Sequence, residues 1–160
     1  MALPSKQTLK DELVGLLQAD LDSLERAYEA SREGATHEEA KPENDKDTRA
    51  LEQSYLARGQ ARRVEDLRSN VADVKNMPAR DFGAEEPVAL GAVVCVEQND
   101  EPRTLFLAPQ GGGAALHGGA IHVVTPRSPM GRALMGKLSG DDMEVQVAGR
   151  VLDVLVMEVR

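Results

Sequence analysis

The chain has 160 residues, 27 Asp and Glu against 19 Lys and Arg, a net charge of −8, one cysteine and no tryptophan. That length makes one ordinary domain or two small ones, and the single Cys95 excludes an internal disulfide framework and a cysteine-built zinc site. An acidic chain lacks the basic footprint of a protein that wraps duplex DNA. Its expected partner is a protein, or a nucleic acid already held by one. The apolar runs are too short to span a membrane, and the start Met-Ala-Leu-Pro-Ser-Lys-Gln-Thr lacks the apolar segment of a signal peptide. A reducing, cytoplasmic setting is the expectation.

From Ser5 to Arg32 the apolar residues are Leu9, Leu13, Leu17, Leu21, Leu24 and Tyr28. Steps of three and four keep one stripe on a helix. Ser5 or Thr8 fits its cap, and Gly15 is a weak point. Gly34 is the predicted end, and Pro42 suits the first turn of the next helix. The second helical pattern runs from Glu43 to about Asn76, with the stripe Ala50, Leu51, Tyr55, Ala57, Ala61, Val64, Leu67, Val71 and Val74. Two long amphipathic helices on a short connection cover each other's stripes, which predicts an antiparallel coiled-coil hairpin over residues 1–77. Residues 33–47, at its turn, hold six acids against two lysines, whereas residues 49–68 hold five arginines against three acids. The plain reading of such charge is a solvated loop and carboxylates near a helix start.

Met77-Pro78 ends the second helix, and residues 78–87, with Pro78, Gly83 and Pro87, read as a linker. Beyond it the period becomes β-like. The predicted strands are Val93–Val96, Thr104–Leu107, Ile121–Val124, Glu144–Val147 and Val151–Val159, the last with mixed alternation. A short helix is expected over Met130–Leu138, and the glycine-rich stretch 111–119 as a flexible loop. It lacks the Gly-Lys-Ser/Thr of a phosphate loop. Residues 88–160 thus predict a small, mostly antiparallel β-rich domain, and the fold class is α+β. Cys95 reads as a buried small apolar residue. His37, His117 and His122 are scattered and make no zinc site.

The string Ser128-Pro129-Met130-Gly131-Arg132-Ala133-Leu134-Met135-Gly136-Lys137, followed by Gly140-Asp141, resembles the C-terminal signature of the bacterial Gre transcription elongation and transcript-cleavage factors. The order of helical hairpin, linker and β-rich domain is similar too. The resemblance implies an FKBP-like domain over 88–160 that docks on the rim of the secondary channel of bacterial RNA polymerase. It also implies a hairpin whose tip reaches the active site. Ser128, Pro129, Arg132 and Lys137 would be partner-binding residues. Contact with nucleic acid would come only through the polymerase complex. In cleaving members of the family, tip carboxylates hold a Mg²⁺ shared with the polymerase and position a water, as two-metal phosphoryl chemistry requires. Here Glu43, Asp45 and Asp47 are the tip carboxylates, with Glu43 and Asp45 as the metal ligands. The match is incomplete: when Glu43-Asn44 is aligned with the family's Glu-Asn pair, Ala40 stands where cleaving members carry Asp. The chain itself is not expected to be an enzyme.

Three functions follow in order. The first is a polymerase channel factor that regulates elongation. A variant of it competes for the channel without cleavage. The third is a coiled-coil adaptor unrelated to polymerase. Prolyl isomerisation, which the FKBP-like shape suggests, needs an aromatic-lined pocket, and from residue 82 onward only Phe82 and Phe106 are aromatic.

Overall fold

The computed structural model describes residues 2–39 and 48–160. In chain order these form α1 (Lys6–Glu39), α2 (Thr48–Lys75), β1 (Val93–Gln98), β2 (Glu101–Leu107), β3 (Ala115–Leu116), a 3-10 turn (His117–Gly119), β4 (Ile121–Val124), α3 (Pro129–Leu134), β5 (Asp142–Val147) and β6 (Arg150–Val159). The fold is mixed α+β. Its contacts divide it into Met1–Gly15 with Ala72–Arg160, and Leu16–Val71.

The first of these units holds one six-stranded sheet, in the order β3-β4-β2-β1-β6-β5. Each neighbouring pair is antiparallel except β2 with β4, which is parallel. The sheet is thus mostly antiparallel, as expected, and the one parallel pair arises because residues 108–120 carry the chain back to the start of β2 before β4 begins. The excursion also gives the glycine-rich stretch a structure. Leu116 of β3 is fully buried, and Ala115-Leu116 pairs with Ile121-His122, so this segment is not a flexible loop.

Val93-Val94-Cys95-Val96 reads as a continuous apolar run because parts of both sheet faces are covered. Val94, Val96, Leu105, Leu107, Val145, Val154 and Val156 form one core with Phe82, Val88 and the α3 residues Met130 and Leu134. Val93 and Phe106, paired in register, take the opposite face and are buried as well. Cys95 differs from expectation: it is half-buried, because it lies outside that core. The mixed alternation of β6 has a specific cause. The β1–β6 register shifts between Cys95 and Val96, a bulge that skips Met157, so Val156 and Val159 are both buried.

Within the same unit, the start of α1 and the end of α2 are tied to the segment 108–119 beside the sheet and to Met77, just past α2. The His117 N–H donates to the Glu12 carboxylate at 3.1 and 3.2 Å, Gln110 donates to Asp73 at 3.2 Å, and Lys10 donates to the Met77 carbonyl at 2.9 Å. Of the two caps the sequence allowed, Ser5 and Thr8, it is Ser5 that caps α1, its Oγ accepting the Thr8 N–H at 3.1 Å. Segment 78–87 is anchored too: Phe82 is buried, Arg80 pairs with Glu86 at 2.8 Å, and Glu86 accepts the Gly83 N–H at 3.0 Å. That N–H and then Arg80 hold the Glu86 carboxyl below its ordinary pKa.

In the second unit, Leu17 and Leu21 of α1 and Val64 and Val71 of α2 are buried. Arg68 reaches Glu25 through Nε at 3.1 Å and Nη2 at 2.9 Å. The predicted α1 stripe holds. Gly34 does not end the helix, which continues to Glu39. A glycine terminates a helix only when it turns left-handed; inside one it costs about 1 kcal/mol, which flanking Ala and Glu offset. In α2 the buried side starts later than expected, since Leu51 and Tyr55 are 57% and 60% exposed. Ala57, Val64, Leu67, Val71 and Val74 carry it, with half-buried Ser54 and Gln60 on the same side. The first turn predicted at Pro42 lies outside the described residues.

Gly59 lies in the interior of α2, with nothing within 4 Å of the position a Cβ would take. Gly59→Ala is therefore expected to stabilise the protein by about 1 kcal/mol from helix propensity alone. Urea unfolding measures this, and a lower midpoint for the variant would show hidden packing at that position.

Candidate functional site

The turn Thr125–Ser128 and helix α3 carry the most specific sequence string. Ser128 has φ −73° and ψ 156°, and its Oγ accepts the Gly131 N–H at 3.1 Å. The same hydroxyl donates to the Thr125 carbonyl at 2.8 Å. Pro129 follows at the first helical position, where a missing N–H costs nothing. Gly131 is fixed by space: a Cβ there would sit 1.8 Å from the Thr125 oxygen. Met130 and Leu134 point into the core. Ser128, Met130, Gly131 and Leu134 thus all serve the fold.

Arg132 does not. It is exposed, and its Nη2 donates to the Arg127 carbonyl at 3.2 Å. Arg127, Pro129 and Arg132 form an exposed set over two basic positions, and no carboxylate pairs with either arginine among the described residues. Lys137 lies past the helix end, half-buried, its backbone bridging Leu134 and Val88. α3 is shorter than predicted, stopping at Leu134: Met135 leaves helical geometry with ψ 127°, and the Gly136 N–H turns to the Val88 carbonyl.

The structure therefore brings Ser128, Pro129 and Arg132 onto one turn of backbone, with Lys137 just beyond it. Glu43, Asp45 and Asp47 lie outside the described residues. Among the described residues no group of His, Cys, Asp or Glu could hold a metal ion, and no helix is long and apolar enough to cross a membrane.

Sequence reasoning missed Lys6. It is 8% exposed, the single buried charged residue among those described. Its three ammonium hydrogens suit three carbonyl acceptors: Arg160 at 2.6 Å, Gly91 at 2.7 Å and Arg80 at 3.3 Å. The Phe82 ring lies 5.0 Å from Nζ. Burial lowers its pKa to about 8, against a smaller raising effect from Asp81. The signal was present: three residues before Leu9, Lys6 continues the α1 stripe.

The family described as "Transcription elongation factor, GreA/GreB, C-term" matches residues 84–160, which include the α3 turn. The transcription elongation factor GreA of Rhodospirillum rubrum is 30% identical over 144 residues, covering 88% of this chain and 83% of that protein. The chain belongs to the Gre family of transcription elongation factors. The GreA of Halorhodospira halophila is 28% identical over 160 residues, covering 100% of this chain and 96% of that protein. Among solved structures, the GreA factor homolog Gfh1 of Thermus thermophilus is similar at 20% identity, 92% and 94% coverage and a TM-score of 0.40. The GreA/GreB protein of Nitrosomonas europaea is similar at 22% identity, 58% and 77% coverage and a TM-score of 0.37. For this Gre-family chain the match places Arg127, Pro129 and Arg132 within the family's C-terminal region, and Lys6 outside it.

Proposed function

We propose that this elongation factor binds bacterial RNA polymerase at the rim of the secondary channel through the α3 turn. In this reading the helical pair of residues 1–77 enters the channel, the segment 78–87 connects it, and residues 88–160 are an FKBP-like docking domain. The setting is the cytoplasm, with nucleic acid met only inside the polymerase complex. The observation that carries the reading is Arg132, which projects from a segment where Ser128, Met130, Gly131 and Leu134 are spent on folding. An exposed guanidinium offers five donors to a partner's carboxylates.

The test is binding of the full chain to core RNA polymerase, competed by a known channel-binding factor. Arg132→Glu should weaken binding by about tenfold or more, since an attractive charge-assisted contact becomes repulsive. Its one hydrogen bond is to an exposed loop carbonyl, so folding should survive. Unchanged affinity, or binding that the channel factor does not displace, rejects the docking face.

A second reading is competition for the channel without transcript cleavage, and Ala40 favours it. Glu43 and Asp45 supply oxygen donors of the right class for Mg²⁺ shared with the polymerase, and Asp47 stands close by in sequence. Bound there, the ion would activate a water for attack on RNA. With alanine at the other acidic position, the donor set is one short for an ion that demands near-octahedral oxygen geometry. A stalled, backtracked polymerase complex decides between the two. No added RNA cleavage, with channel binding intact, supports competition. Added cleavage that is lost in the double variant Glu43→Ala, Asp45→Ala supports the metal-holding tip.

A further inference from the structure

β5 is the last strand of the sheet, so among the described residues one of its edges has no neighbouring strand. The turn that follows it decides what that edge presents. Ala148 and Gly149 both have positive φ, 51° and 78°. A two-residue turn of this kind makes its flanking residues, Val147 and Arg150, a hydrogen-bonded pair. Alternation then directs the backbone of Val147, Val145 and Met143 toward β6, and that of Gln146, Glu144 and Asp142 outward. The Val156 N–H, donated to the Asp141 carbonyl at 2.8 Å, continues the same alternation. No backbone group among the described turns and loops reaches the outward-facing row.

On the sheet face beside this edge, across β5, β6 and β1, charge has one sign. Register places Asp142 beside Leu155, Leu155 beside Glu97, and Glu144 beside Asp153. With Asp100, these carboxylates line an open groove of about 390 Å³ that no Lys or Arg borders. None of the five is ion-paired among the described residues. Pairing of β5 with β5 of a second copy would set Asp142 and Glu144 against like charges, which argues against self-association.

We propose that the β5 edge receives an extended basic segment of a partner protein as a seventh strand. The backbone of Asp142, Glu144 and Gln146 supplies the pairing, and alternate Lys or Arg side chains of the incoming strand meet Asp142 and Glu144, the groove carboxylates carried by β5 itself. The assignment does not depend on the α3 docking face.

The probe is a synthetic eight-residue peptide of alternating Lys and Val, titrated into the full chain. It is expected to bind and to slow exchange of the amides of residues 142, 144 and 146. Asp142→Asn with Glu144→Gln should weaken it by about tenfold or more. Gln146→Pro is the sharper variant: it keeps every acid and deletes one outward N–H, which an edge strand tolerates. It too should weaken the peptide by about tenfold, while an acidic peptide of the same alternation should not bind. Native affinity in Gln146→Pro would reduce the effect to charge attraction and overturn the proposal. So would unchanged amide exchange in the native chain, a reading that holds even if the proline variant fails to fold. A native dimer that Gln146→Pro abolishes would assign the edge to a second copy instead.

Discussion

Gly131→Ala is expected to lower stability by about 3 kcal/mol or more, with loss of a cooperative transition as the extreme outcome. Helix propensity taken alone gives the opposite sign, since alanine in a helix is better than glycine by about 1 kcal/mol. Space reverses it. The added carbon would sit 1.8 Å from the Thr125 carbonyl oxygen, far inside van der Waals contact. That oxygen cannot retreat freely. It accepts the Ser128 hydroxyl at 2.8 Å and the Ser128 N–H at 3.1 Å, so moving it dismantles the turn that starts α3. Met130 and Leu134 would then leave the core with it. Urea unfolding of the two proteins measures the difference. A loss below about 1 kcal/mol would mean that the turn repacks without cost. Gly59→Ala is the internal control, because the same substitution in open space should stabilise.

The second large effect is a pH dependence centred on Lys6. Its folded pKa of about 8 lies below the ordinary value of 10.5. Below pH 8 both folded and unfolded chains carry the proton, and the cost of holding a buried ammonium is fully present. Between pH 8 and 10.5 the unfolded chain keeps a proton that the folded one has released. Stability contributed by this group therefore rises with pH in that window, by about 1 kcal/mol per unit and about 3 kcal/mol in all. Other lysines and tyrosines titrate nearby, so the quantity to measure is the difference from Lys6→Met. The stability of the native protein relative to this variant should climb from pH 8 to 10.5 and be flat from pH 6 to 7.5. A flat difference throughout would show that water reaches the amine. At neutral pH the variant also leaves the Gly91, Arg160 and Arg80 carbonyls without their ammonium donor, a penalty of about 1–3 kcal/mol for each one kept from water.

These two residues illustrate what could be read in advance and what could not. Gly131 belonged to a string singled out from sequence, yet its reason, a carbonyl approaching from six residues earlier, is a distance in space. Lys6 occupied a core position of the α1 period, but nothing in the sequence announced three carbonyl acceptors. Those come from Arg80, Gly91 and Arg160, remote from it along the chain. The α3 face was legible as a group because its residues are consecutive. Which member projects outward was decided by the cap, the core contacts of Met130 and Leu134, and the turn beyond Met135.

Local period and chain chemistry alone determined the two long helices, the α1 stripe, five of the strands and the family. Each of these depends on neighbours within a few residues, or on a contiguous motif. Tertiary structure decided the parallel β2–β4 pairing, the burial of Leu116, the bulge that puts Val156 and Val159 both inside, and the exposure of Leu51 and Tyr55. It also decided the burial of Lys6. The physical reason is common to all of them. A side chain's burial depends on what other segments place over it, and hydrogen-bond satisfaction depends on carbonyls that only the folded chain assembles.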